Sequence, residues 1–181
     1  CGFGSVAALS GTVAIGGTGW IVWLVPAAIG GAVFIGFDLQ NAGREAAAEV
    51  AGAAAFASVP AALATLAGWP TSVAVALAVV MLGRSVPAVL GVRAALRHVK
   101  TGELHRAPAM IATGVALVAG IWLAVAGLAP RLAVVAFAVL ALRTLALLVY
   151  PRPLLRARTI GMIETVLGVA FVVVVALAWR Q

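Results

Sequence analysis

Charge is what this sequence has least of. Of 181 residues, 12 are Lys or Arg and five are Asp or Glu, 9% in all, while 65% are apolar. A soluble domain carries about 25% charged residues, and a small soluble fold keeps much of its surface wet. Seventeen charges cannot cover such a surface, so an ordinary soluble enzyme is excluded. So is a disordered chain, which needs low hydrophobicity. The one cysteine, Cys1, excludes an intramolecular disulfide and a cysteine-based metal site. The two histidines, His98 and His105, share one charged loop and make no metal cage, because a third ligand is missing. The net charge of +7 does not point to nucleic acid. That needs basic residues clustered on one face of a soluble module, and here they stand in short breaks between apolar runs, as membrane proteins place them. The chain begins at Cys1 rather than Met, and apolar sequence follows at once. It reads as an N-terminally clipped fragment, with no secretory signal and small-residue cleavage site.

What is present in quantity is apolar sequence in lengths that suit a bilayer. A spanning helix takes about 20 mostly apolar residues. Val50 to Gly83 is uncharged over 34 residues, too long for one span, and Gly68-Trp69-Pro70-Thr71-Ser72 divides it. Pro130-Arg131 separates two further runs, and Pro151-Arg152-Pro153 closes the second of them, since proline cannot continue a helix interior. The pattern predicts an all-α, polytopic transmembrane helical bundle of about seven spans, near 3–18, 19–37, 44–68, 71–95, 107–128, 131–150 and 159–179, in one transmembrane domain over residues 1–181. Ten-residue segments of alternating polarity, the mark of a transmembrane barrel, are lacking.

Lys and Arg set the orientation. The breaks near 38–45, 92–107 and 151–158 hold Arg44, Arg93, Arg97, Lys100, Arg106, Arg152, Arg156 and Arg158, whereas the alternate breaks hold Arg131. The positive-inside rule places the first set in the cytoplasm, which gives a multi-pass protein of the inner membrane with lipid as its surroundings. Trp20, Trp69 and Trp179 would then lie near the outer interface.

Ionisable groups within spans are costly and face the bundle interior or a wet cavity. Here they gather toward the cytoplasmic side: Arg44, Glu45 and Glu49 at the start of the third span, Arg84 about two turns below the end of the fourth, Arg93 near that end, Arg143 late in the sixth, and Glu164 early in the seventh. These seven are the candidate ligand-binding residues. The alternative for Glu49, Arg84, Arg143 and Glu164 is a set of structural ion pairs between helices, and arginines at helix ends can snorkel to the interface. Ala27 and Gly31 form a small-xxx-small pair, read as packing within the bundle or as a homo-oligomer contact. Pro26, Pro60 and Pro87 fall inside spans and should kink them. Gly16-Gly17-Thr18-Gly19 lacks the lysine and preceding strand of a phosphate loop.

Three stretches resemble the YwiC-like integral membrane proteins of bacteria: Gly43-Arg44-Glu45 to Glu49-Val50-Ala51-Gly52, at the opening of an alanine-rich helix; Arg84-Ser85-Val86-Pro87 to Val92-Arg93-Ala94-Ala95-Leu96-Arg97; and Thr159-Ile160-Gly161-Met162-Ile163-Glu164, at the opening of the last helix. The resemblance runs from about residue 38 to the C-terminus. It implies a bacterial inner-membrane protein of unassigned activity and an N-terminally truncated member, because the His-Gly element usual in that family is not in this chain. A fainter similarity is to UbiA-type membrane prenyltransferases. It would imply a lipid diphosphate substrate and Mg²⁺ held by Asn-Asp-x-x-Asp motifs, where this chain has Asp38-Leu39-Gln40-Asn41 with a single Asp.

The leading expectation is a cytoplasm-facing polar pocket that binds or transports a small anion or lipid headgroup. Arg84, Arg93 and Arg143 would be the contacts, with Glu49 and Glu164 as their partners; no cofactor and no resident metal are expected. The alternatives are the prenyltransferase, with Mg²⁺, and a packing subunit of a larger membrane complex.

Overall fold

The computed structural model describes residues 18–43, 45–103, 105–149 and 157–179. The described residues are helical apart from short connections. A 3-10 turn at Gly19–Trp23 leads into α1 (Leu24–Leu39), followed by α2 (Ala46–Leu66), α3 (Thr71–Thr101), α4 (Ala107–Val125), α5 (Arg131–Val149) and α6 (Ala157–Ala178). Counting the 3-10 turn and α1 together, these make six spans of 19 to 28 residues, long and apolar enough to cross a bilayer. The chain is a multi-pass, all-helical membrane protein. The seventh expected span, 3–18, lies outside the described residues.

The spans end where the backbone can reverse. At the end of α1, Asn41 takes φ 57°, its N–H bonds to the Asp38 carbonyl, and the Ala42 N–H bonds to the Phe37 carbonyl at 2.8 Å. Gly68 and Gly127 do the same after α2 and α4, at φ 80° and 69°, with Trp69 N–H on the Ala64 carbonyl and Leu128 N–H on the Leu123 carbonyl. This is the Schellman arrangement, which satisfies the last carbonyls and favours residues tolerant of positive φ.

Two sequence expectations change. α3 does not stop near residue 95 but runs on to Thr101. Charged residues mark the edge of an apolar run, yet nothing in Arg93 to Lys100 opposes helix: Ala94 and Ala95 are buried while Leu96 and Arg97 face out. Pro26 falls inside the Gly19–Leu39 span as expected, but not in the interior of an α-helix. It sits in the first turn of α1, just past the 3-10 segment, where a missing N–H is tolerated. Pro60 and Pro87 do lie inside α2 and α3.

The chain divides into two compact units, Cys1–Ala78 and Val79–Gln181. In the first, α1 and α2 approach closely where Gly30 meets α2: a Cβ at Gly30 would stand 2.5 Å from the Ala51 carbonyl oxygen and 3.1 Å from Ala55 Cβ. The sequence pointed to the neighbouring pair Ala27 and Gly31, but Gly31 has nothing within 4 Å. The Trp23 indole N–H donates to Thr65 Oγ1 at 2.9 Å, and Ala61, Ala64, Ala74 and Ala78 form a buried cluster with Trp23 and Leu77 against it. Trp20 is buried as well, its ring packed on protein. Close approach by small residues is how helices associate in lipid, where hydrophobic burial offers little between them.

In the second unit, Phe137 on α5 is the central wedge. A Cβ at Gly120 of α4 would stand 2.5 Å from its ring, and one at Gly83 of α3 would stand 3.0 Å from it. The ring also meets Phe171 of α6 edge-on, with centroids 5.4 Å apart. One aromatic side chain thus touches three neighbouring helices, two of them at glycines. Ala94, Ala109, Leu148 and Leu90 make a second cluster on the same helices, farther along α3. Valines such as Val115, Val118, Val166 and Val169 stay exposed, as befits helices whose outer faces meet hydrocarbon.

Candidate functional site

The polar groups of the second unit converge just beyond the Phe137 wedge. On α5, Phe137, Ala141, Thr144 and Leu148 follow 4-3-4 spacing and share one face. On α3, Arg84 and Gly91 lie two turns apart on one face, and on α6 so do Glu164 and Gly168, one turn apart. These faces enclose a pocket lined by Arg84, Pro87, Thr113, Phe137, Arg143, Thr144 and Glu164 among others. Its cavity volume is about 20 Å³, room for one or two waters.

Arg143 and Glu164 form an ion pair through Nη2 and Oε1, with only 15% and 18% of their side chains exposed. The other terminal nitrogen, Nη1, has no hydrogen-bond partner and points toward α3, 3.8 Å from where a Cβ at Gly91 would be. Arg84 reaches α6: its guanidinium fills the space beside Gly168 that any larger residue would claim. Among the described residues Arg84 makes no ion pair and no hydrogen bond. The pocket therefore holds two guanidinium groups and one carboxylate, a net charge of +1.

Its threonines add oxygen, not protons. Thr144 Oγ1 donates to the Leu140 carbonyl at 3.0 Å and Thr113 Oγ1 to the Ala109 carbonyl at 2.7 Å, so their hydroxyl hydrogens are committed within their own helices. Pro87 has no N–H to give the Gly83 carbonyl one turn earlier. The unsatisfied donors at the site belong to arginine.

The depth of Arg84 is a correction. The sequence suggested a position about two turns from the helix end, but the span covers Thr71–His98, which puts Arg84 near its middle, about 20 Å from either end at 1.5 Å per residue. Gly168, its neighbour, is likewise near the middle of the Thr159–Ala178 span. Arg143 lies about 9 Å from the end of α5.

The remaining candidates stand elsewhere. Arg93 is half-buried nine residues farther along α3 and does not line the pocket. Arg44 lies outside the described residues. Glu45, exposed, and Glu49, half-buried, open α2 in the first unit. Asp38 folds over the turn after α1, with Oδ1 2.7 Å from a Cβ built at Gly43. Among the described residues no three Asp, Glu, His or Cys side chains come together to hold a metal ion. His98 instead closes the end of α3, its Nδ1 3.0 Å from the Gly102 carbonyl oxygen.

Sequence reasoning missed Thr113, Phe137, Thr144 and Gly168. The signals for two of them were present: Thr144 adjoins Arg143, and Gly168 stands one turn beyond Glu164 on the same helix face. Compared with family models, curated proteins and solved structures, the chain matches none.

Proposed function

We propose that this chain is a multi-pass protein of the bacterial inner membrane that binds a small anion, and conducts it, through the pocket between α3, α4, α5 and α6. The observation that carries the reading is the charge imbalance: Arg84 and Arg143 against Glu164 alone, with Arg143 Nη1 unsatisfied. Charge this far inside a span is expensive unless it is paired or serves a ligand. A purely structural network would supply Arg84 with a carboxylate. A guanidinium presents five donors in a fixed fork suited to anions.

Depth and size favour a free ion over a lipid headgroup. A phosphate tethered at the interface stays about 15–20 Å from the middle of the bilayer, where Arg84 stands, and the pocket has room for a water or two. The positive-inside rule makes the side with Arg97, Lys100 and Arg106 cytoplasmic, and on this proposal the entrance to the site lies on that side. Membership in the YwiC-like group is part of the same proposal and rests on the three sequence stretches.

The test is anion binding to the full chain in lipid nanodiscs, with chloride and nitrate as probes, followed by chloride efflux from proteoliposomes. Arg84→Gln should weaken binding roughly 10- to 100-fold, the worth of a charge-assisted hydrogen bond. Equal binding by the variant, or none by the native chain, overturns the reading.

A further inference from the structure

Building on the anion reading, we infer that the pocket is selective for monovalent anions and that Glu164 sets this valence. In a low-dielectric site, leaving net charge uncompensated is costly, so occupancy is governed by how nearly a ligand brings the pocket to neutrality. Arg84 and Arg143 contribute two positive charges and Glu164 one negative. A single monovalent anion neutralises that sum. A divalent anion overshoots it by one, and the excess would stand beside the carboxylate of Glu164, itself only 18% exposed. Like charges brought together with little water between them repel strongly.

The groups facing Glu164 are few enough for this arithmetic to hold. From α5 comes Arg143, directly paired. From α3 comes Arg84, which lies against Gly168 one turn along α6. α4 contributes to the lining only Thr113 and Ala116, which carry no charge. Arg93, Arg97, His98 and Lys100 follow later on α3 and do not line the pocket. The anion would take the buried, unsatisfied Nη1 of Arg143 and the donors of Arg84, while Nη2 of Arg143 stays on Glu164. The acid thereby holds half of one guanidinium and leaves the other half available, which makes it a specificity-determining residue as well as an ion-pair partner.

The experiment compares perchlorate with sulfate, two tetrahedral oxyanions of nearly equal size that differ in charge, and includes chloride as the smaller monovalent probe. Binding is measured on the full chain in nanodiscs by competition at constant ionic strength. The native chain should prefer perchlorate and chloride over sulfate. Glu164→Gln raises the pocket to +2 and should shift the perchlorate-to-sulfate ratio toward sulfate by at least tenfold. The double variant Arg84→Gln/Glu164→Gln restores +1 and should bring the ratio back. The native ratio needs no substitution, so it decides the matter even if a variant does not fold: a native preference for sulfate overturns the inference. So does an unchanged ratio in folded Glu164→Gln. If all three anions bind without regard to charge, or if chloride binds and neither oxyanion enters, the valence inference falls and the anion pocket stands. If none binds, the anion pocket itself falls.

Discussion

The guanidinium of Arg84 occupies the place where Gly168 would carry a side chain. An arginine near the middle of one span and a glycine near the middle of another are thus matched in depth and shape, and the glycine makes room for the charge.

Gly168→Ala separates this role from folding. Alanine is favoured over glycine within a helix by about 1 kcal/mol, and the atoms it would meet are the far end of a flexible side chain. The variant should melt no lower than the native protein in detergent, yet bind chloride about as weakly as Arg84→Gln. A variant that melts normally and binds normally would show that the position of Arg84 does not matter.

Removing one partner of the half-buried Arg143–Glu164 ion pair should cost far more than removing both. Arg143→Gln leaves Glu164 without its partner, a loss of about 3–5 kcal/mol, and Arg143→Gln/Glu164→Gln should recover most of it. Unfolding of the two single variants and the double variant by a denaturing detergent measures the coupling. Additive losses would mean that the two side chains do not depend on each other.

The Phe137 wedge predicts opposite outcomes at two glycines. Gly120→Ala drives a methyl into ring carbons packed on three sides and should destabilise by about 1–3 kcal/mol, the cost of overpacking. Gly31→Ala, with open space around it, should be neutral or stabilising. Thermal melts of the two variants decide the order.

Sidedness is open to direct labelling. With Cys1 replaced by Ser, single cysteines at Gly102 and at Gly127 should react with a membrane-impermeant maleimide from opposite faces of sealed vesicles, the first from the cytoplasmic face. Reaction of both from one face would remove the topology assumed for the pocket.

Much of the architecture was legible because lipid imposes a simple rule, that an uncharged run of suitable length forms a helix across it. The breaks at Gly68 and before Pro130-Arg131 could be read for the same reason, since the chain has to turn between two such runs. Depth was less legible. Arg93 and Arg97 look like the end of a span, but peptide hydrogen bonding does not stop at the first charge, and α3 continues to Thr101. Arg84 was therefore placed too near the surface. The convergence of Arg84, Arg143 and Glu164 was suspected from charge alone. What brings them together, Gly168 giving way to Arg84 and Phe137 inserted between Gly83 and Gly120, depends on which helix faces meet, and apolar sequence with nearly uniform hydrophobicity does not encode that in its pattern.

The central position of Arg84 also bears on how the protein is made. During synthesis α3 partitions from the translocon before α5 and α6 exist, so neither Arg143 nor Glu164 is there to receive it. A central arginine opposes insertion by about 2.5–3.5 kcal/mol, and each Leu or Val favours it by about 0.3–0.6. Between Thr71 and Val92, where Arg84 is the one charged residue, there are ten such residues, which together offset the arginine by about 3–6 kcal/mol. The guanidinium can thus be carried into the membrane by the greasiness of its own helix, with no carboxylate assigned to it. Biogenesis leaves behind a cation that nothing in the later chain is obliged to neutralise.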